Sequence, residues 1–204
     1  GDMRKGRLAG ALFVLVWRRE ETRVTNSITS PGGIRLPFRG VMPRIAPDAF
    51  IAPNATIIGD VVVGPLANIW FGCVIRGDVN EIRIGARANI QDGTIVHVAR
   101  NKFGCYIGDD VTIGHLALIH ACTLEPGCFI GMQATIMDGC VVESGAQVAA
   151  GALLTPGKRV PSGELWGGRP AKLLRPLSEE EKANLGNTAK HYAQLGAEYR
   201  EALG

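Results

Sequence analysis

Residues 45–75 read IAPDAFIAPNATIIGDVVVGPLANIWFGCVI, with a branched aliphatic side chain at every sixth position: Ile45, Ile51, Ile57, Val63, Ile69 and Ile75. Four places after most of these stands a small residue, Ala49, Ala55, Ala67 or Cys73. A helix repeats near 3.6 residues and a half-buried strand at 2, so a period of six belongs to neither alone. It marks a solenoid in which each hexad supplies one short strand and one corner.

Two interruptions follow, and each restarts the beat. Ile84, Ile90 and Val96 form a second run with Ala88 and Thr94, and Ile107, Ile113 and Ile119 a third with Val111, Ala117 and Thr123. The register then slips by one residue. Leu124, Ile130, Ile136, Val142, Val148, Leu154 and Val160 carry it onward, with Cys128, Ala134, Cys140, Ala146 and Ala152 at the small position. Three hexads close a triangular coil whose aliphatic side chains fill a narrow interior, and stacked coils pair backbone to backbone about 4.8 Å apart. No coil buries its core without a neighbour. The pattern predicts an all-β fold, a parallel β-helix of hexapeptide repeats over residues 34–176.

The two ends depart from the pattern. Residues 1–33 are expected to be an N-terminal extension, non-native or poorly conserved, and Gly1 ahead of Met3 reads as a tag remnant. Arg4, Lys5 and Arg7 precede the apolar run Leu8 to Trp17, which is too short to span a bilayer and has charges, not a cleavage site, behind it. At the other end, Ser178 and Glu181 have capping-box spacing, and Leu185, Tyr192, Leu195 and Tyr199 form a loose apolar stripe. This predicts a C-terminal α-helix within residues 177–204, folded back along the β-helix, although Gly186 and Gly196 weigh against it.

A net charge of +3 without a basic run, and without interleaved basic and aromatic positions, argues against nucleic-acid binding. The five cysteines show no CxxC spacing, and Cys73, Cys128 and Cys140 fall on the small interior position, where packing is their expected role. An odd count points to a reducing compartment, the cytoplasm, and no membrane attachment is expected.

The register also places the histidines. His97 follows Val96 and His120 follows Ile119, three hexads later, so the two stack on one face in adjacent coils. Counting back from Val96 through Ile90 and Ile84 to Ile75 puts Arg76 beneath His97. His115 is two places after Ile113, on the preceding face, with Gln91 and Asp92 in the coil below. It does not join the other pair within one chain. If three protomers pack around a threefold axis, the Arg76, His97, His120 column of one meets the Gln91, Asp92, His115 column of the next. Three imidazoles with an open fourth position suit a catalytic metal, Zn²⁺ first, with Fe²⁺ or Co²⁺ as alternatives.

The segment from Ile75 to His120, with Arg76-Gly77-Asp78, Asn89-Ile90-Gln91-Asp92-Gly93, His97, and Gly114-His115 through His120, resembles the γ-class carbonic anhydrases and bacterial relatives that include proteins named ferripyochelin-binding. The resemblance implies a left-handed helix, a homotrimer, and metal held by His97 and His120 of one subunit with His115 of its neighbour. It implies reversible hydration of CO₂ to bicarbonate by metal-activated water. Gln91 would orient that water, Arg76 and Asp78 would pair at the subunit interface, and Asp92 would support its neighbours. Tyr192 matches a tyrosine many short relatives present near the metal, with helix packing the alternative role. The sequence departs from the best-characterised branch in two places. Val79 stands where that branch has a glutamate after Asp78, and Ala99 to Tyr106 contains no carboxylate to shuttle protons. A metal-dependent thioesterase, a CoA-dependent acyltransferase and a non-catalytic metal-binding trimer are the competing readings.

Overall fold

The computed structural model describes residues 32–203, and the expected N-terminal extension lies outside the described residues except for Gly32 and Gly33. The chain winds into a parallel β-solenoid of about seven coils. The first face stacks Ile34–Leu36, Thr56–Ile58, Val74–Arg76, Ile95–His97, Leu118–His120, Thr135–Ile136 and Leu153–Leu154. The second stacks Arg44–Ile45, Val62–Val63, Ile82–Ile84, Cys105–Ile107, Thr123–Leu124, Val141–Val142 and Arg159–Val160. The third runs from Phe50–Ile51 through Asn68–Ile69, Asn89–Ile90, Thr112–Ile113, Phe129–Ile130 and Gln147–Val148 to Glu164–Gly168.

The hexad aliphatics form the interior. Ile57, Ile69, Ile75, Ile84, Ile90, Ile107, Ile113, Ile119, Leu124, Ile130 and Ile136 are wholly buried, together with Ala55, Ala67, Cys73, Ala88, Ala134 and Cys140 at the small position. Burying each large side chain contributes about 1.5–3 kcal/mol, which is what fixes the register.

Every irregularity in the spacing falls on one corner, between the first and second faces. Ile75 to Ile84, Val96 to Ile107 and Ile119 to Leu124 all cross it. The first interruption is not a loop: Val74–Ile84 is one continuous strand that runs from the first ladder into the second and joins them as one sheet. Gly59 and Gly77 stack there, and a Cβ on Gly77 would lie 2.6 Å from the Asp60 carbonyl oxygen, so only glycine lets the two backbones pass. The one-residue slip is taken up at Ala121, which adopts φ +49°.

An antiparallel strand, Ala171–Pro176, covers the last rung of the third face. Helix α1, Glu179–Leu203, then folds back across that face. Ser178 and Glu181 form the reciprocal cap: the Glu181 N–H donates to Ser178 Oγ at 3.2 Å and the Ser178 N–H to Glu181 Oε2 at 2.8 Å. Gly196 is buried against Phe50 and Asn68, so the glycine that weighed against a helix is where the helix seats. Among the described residues, no helix is long and apolar enough to cross a membrane.

Candidate metal centre

His120 pairs in register with His97, and the rung below aligns Ile75 with Val96, which leaves Arg76 next in line under His97. The imidazoles face each other, with His97 Nδ1 3.2 Å from His120 Nε2. Each outer nitrogen meets a carboxylate. His97 Nε2 lies 2.9 Å from Asp78 Oδ1, and His120 Nδ1 lies 2.6 Å from Asp138 Oδ1. Asp78 in turn accepts a hydrogen bond from Arg76. Burial raises the Asp78 carboxyl, but hydrogen bonds from His97 and Arg76, with the Arg76 charge, outweigh it and hold the group below the usual carboxylate range.

His115 sits on a different corner, between the third and first faces. Its Nδ1 is 2.8 Å from Asp92 Oδ2. Asp92 Oδ1 accepts the Phe71 N–H at 3.2 Å, which fixes the carboxylate by the coil below. Gln91, one residue earlier, is buried, and its N–H donates to the Ile113 carbonyl. One chain therefore brings together Arg76, Asp78, His97 and His120 on one edge of the prism, and Gln91, Asp92 and His115 on another. Among the described residues of the single chain, no three His, Cys, Asp or Glu side chains converge as a metal-binding group.

Tyr192 projects from α1 onto Trp70, with ring centroids 5.5 Å apart and nearly perpendicular. Trp70 Nε1 donates to Asn68 Oδ1 at 2.9 Å and Asn89 Oδ1 at 3.0 Å, a buried polar cluster that the hexad count does not reveal. Glu81 also finds a definite place. Its carboxylate accepts the Tyr106 hydroxyl at 2.8 Å and an Arg83 N–H at 2.7 Å. Burial, then Glu81, pushes Tyr106 up to about 12.

The spacing of the facing pair fits two corners of a tetrahedral ion. At about 2.0–2.1 Å from each nitrogen, such an ion holds two ligand atoms roughly 3.3–3.4 Å apart, close to the 3.2 Å between His97 and His120. Each of the three imidazoles has a carboxylate at its other side or at Nδ1, the arrangement that orients ligating histidines.

Asp138 is the contact that sequence reasoning missed. Counting one coil on from His120 reaches Met137, so the pattern leads to its neighbour but does not show the side chain reaching back.

The family model "Bacterial transferase hexapeptide (six repeats)" matches residues 42–77. The chain is 51% identical over 158 residues to Gamma carbonic anhydrase 2, mitochondrial, of Arabidopsis thaliana, covering 75% of this chain and 57% of that protein. It is 42% identical over 164 residues to a carbonic anhydrase of Geobacillus kaustophilus, covering 80% of this chain and 90% of that one. The chain belongs to the γ-class carbonic anhydrase-like family. A crystal structure of a hexapeptide transferase family protein from Anaplasma phagocytophilum superposes with a TM-score of 0.79 at 50% identity, covering 81% of this chain and 98% of that one. The γ-class match to the plant protein thus spans little more than half of that relative's length, whereas the bacterial relatives are matched nearly end to end.

Proposed function

We propose that the protein is a zinc-dependent carbonic anhydrase, active as a homotrimer, with each site shared between His97 and His120 of one subunit and His115 of the next. The observation that carries this reading is the pair of facing imidazoles 3.2 Å apart, both backed by carboxylates, while the third histidine stands on another edge of the same prism. A threefold arrangement brings unlike edges of neighbouring subunits together and completes the set. Zinc held this way would supply a Lewis acid that brings the pKa of a water to about 7.

The rest of the chemistry falls to the chain. Asp78, Asp92 and Asp138 hold the three rings by their outer nitrogens. Hydrogen bonds from His97 and then Arg76 outweigh burial and hold the Asp78 carboxyl below the usual carboxylate range. Gln91 is assigned to orient the attacking water toward CO₂, giving bicarbonate and one proton. With Glu81 committed to Tyr106 and Arg83, and no carboxylate in Ala99 to Tyr106, that proton passes to solvent buffer, and turnover rises with buffer concentration. Fe²⁺ or Co²⁺ is the alternative metal.

The test is stopped-flow CO₂ hydration on protein loaded anaerobically with Zn²⁺ or Fe²⁺, beside His97→Ala and Gln91→Ala, with metal content measured on the same samples. Expected are activity in the wild type, loss of both metal and activity in His97→Ala, and retained metal with most activity lost in Gln91→Ala. Full metal occupancy without turnover in the wild type would overturn the reading. Hydrolysis of a CoA thioester by that sample would replace it.

A further inference from the structure

We infer that Asp138 is the positioning residue for His120. This rests on the metal-site reading above, and it assigns a task to a residue that neither the hexad register nor the family motifs single out. Asp138 Oδ1 stands 2.6 Å from His120 Nδ1, the shortest of the three carboxylate–imidazole contacts at the proposed ligands. A carboxylate can only accept, so His120 donates from Nδ1, which leaves Nε2 as the nitrogen a metal would take. That nitrogen faces His97 Nδ1.

The backbone holds Asp138 in place from both sides. Its carbonyl accepts the Gly157 N–H at 2.8 Å from the coil above, and the next residue, Gly139, donates to the Ala121 carbonyl at 2.8 Å in the coil below. Ala121 is also the residue that absorbs the register slip directly after His120. The slip and the carboxylate therefore act on the same ring. A five-residue step brings the corner in close, and Asp138 reaches back across it to fix how the ring is turned. The side chains of His120 and Asp138 are 27% and 30% exposed, so the contact is open enough for a ligand to reach Nε2 and closed enough to hold its geometry.

The experiment titrates full-length protein with Zn²⁺ alone against a competing chelator, and with Co²⁺ for its absorption spectrum. Asp138→Ala should bind Zn²⁺ about 10–100-fold more weakly than wild type, the usual cost of removing a carboxylate behind a ligating histidine. Asp138→Asn, whose amide oxygen still accepts from Nδ1, should recover most of that loss and the wild-type Co²⁺ spectrum. Equal affinity in Asp138→Ala and wild type overturns the assignment, and so does a loss that Asp138→Asn does not repair. A measurement free of variants guards against misfolding: nitrogen NMR of the metal-free wild type should show a proton on His120 Nδ1, and a His120 protonated at Nε2 alone overturns the assignment. Wild-type protein that takes up no Zn²⁺ while His120 is Nδ1-protonated would sink the metal-site reading, and the positioning role with it.

Discussion

Gly196 brings α1 down onto Phe50: a Cβ at that position would stand 3.1 Å from the Phe50 Cβ and 3.3 Å from that of Asn68. Gly186, ten residues earlier in the same helix, has nothing within 4 Å of its Cβ position. The two glycines should answer substitution with opposite signs. Gly196→Leu overpacks the helix against the third face and should cost about 1–3 kcal/mol. Gly186→Ala should add about 0.5–1 kcal/mol through helix propensity and a less disordered unfolded chain. Urea unfolding of both variants checks the pair, and a destabilised Gly186→Ala would contradict it.

Glu181 ties the start of α1 to acid sensitivity. A hydrogen bond from Arg175, helped by the Ser178 N–H, lowers its carboxyl from 4.5 to about 2. A pKa depressed by folding contributes stability that is complete above about 4.5 and disappears as pH falls from there toward 2. Glu181→Gln should therefore differ from wild type in thermal midpoint at neutral pH and converge with it near pH 2. A difference that stays constant across that window would refute the linkage.

The five cysteines of the chain are all free and buried. Cys105, Cys122 and Cys140 occupy matching positions in successive coils of the second face, as the register of Tyr106, Thr123 and Val141 requires. Burial raises Cys73 to about 12 and moves Cys128 and Cys140 upward as well. Buried, protonated thiols are poor nucleophiles. Native protein should react with DTNB only at the rate at which it opens, with all five thiols released in denaturant. Prompt reaction of the native thiols would contradict the packing. Cys122→Ser, which places a hydroxyl in that column, should cost about 1–3 kcal/mol.

Shared ligation makes a prediction that no single-chain site can satisfy. His97→Ala and His115→Ala proteins should each be metal-poor. Unfolded together and co-assembled in equal amounts, they should recover Zn²⁺ at about one interface in four, since half of the subunits offer an intact His97 column and half of their neighbours an intact His115. Metal content of the mixed trimers, separated by size, reads this directly, and no recovery in folded trimers would count against sharing.

Much of this was legible because a solenoid turns position into counting. The pairing of His120 with His97 and of Ile113 with Ile90 follows from the hexads, even across Ala99 to Tyr106, because an insertion at a corner returns the chain to the same interior position. Side-chain reach is a different matter. Asp138 and Glu81 find their partners by bending out of register, and Trp70 binds two asparagines on different coils, so no period announces them. The strand Val74–Ile84 looked like a run, a break and a restart, because its polar middle carries no hexad beat. Its continuity comes from Gly77 lying on Gly59, a contact between two coils that neither segment shows alone.

The reversal of direction at Ala171–Pro176 has a consequence for the molecule in a crowded solution. A parallel ladder ends in a rung whose free N–H and C=O groups can template another strand, and a column of near-identical hexads would accept the first rung of a second copy as readily as its own next coil. On the third face, an antiparallel strand bearing Lys172, Arg175 and the terminal Pro176 covers that rung and offers a mismatched, charged edge instead. Along this face the hairpin acts as a chain terminator, limiting head-to-tail growth of copies into a filament.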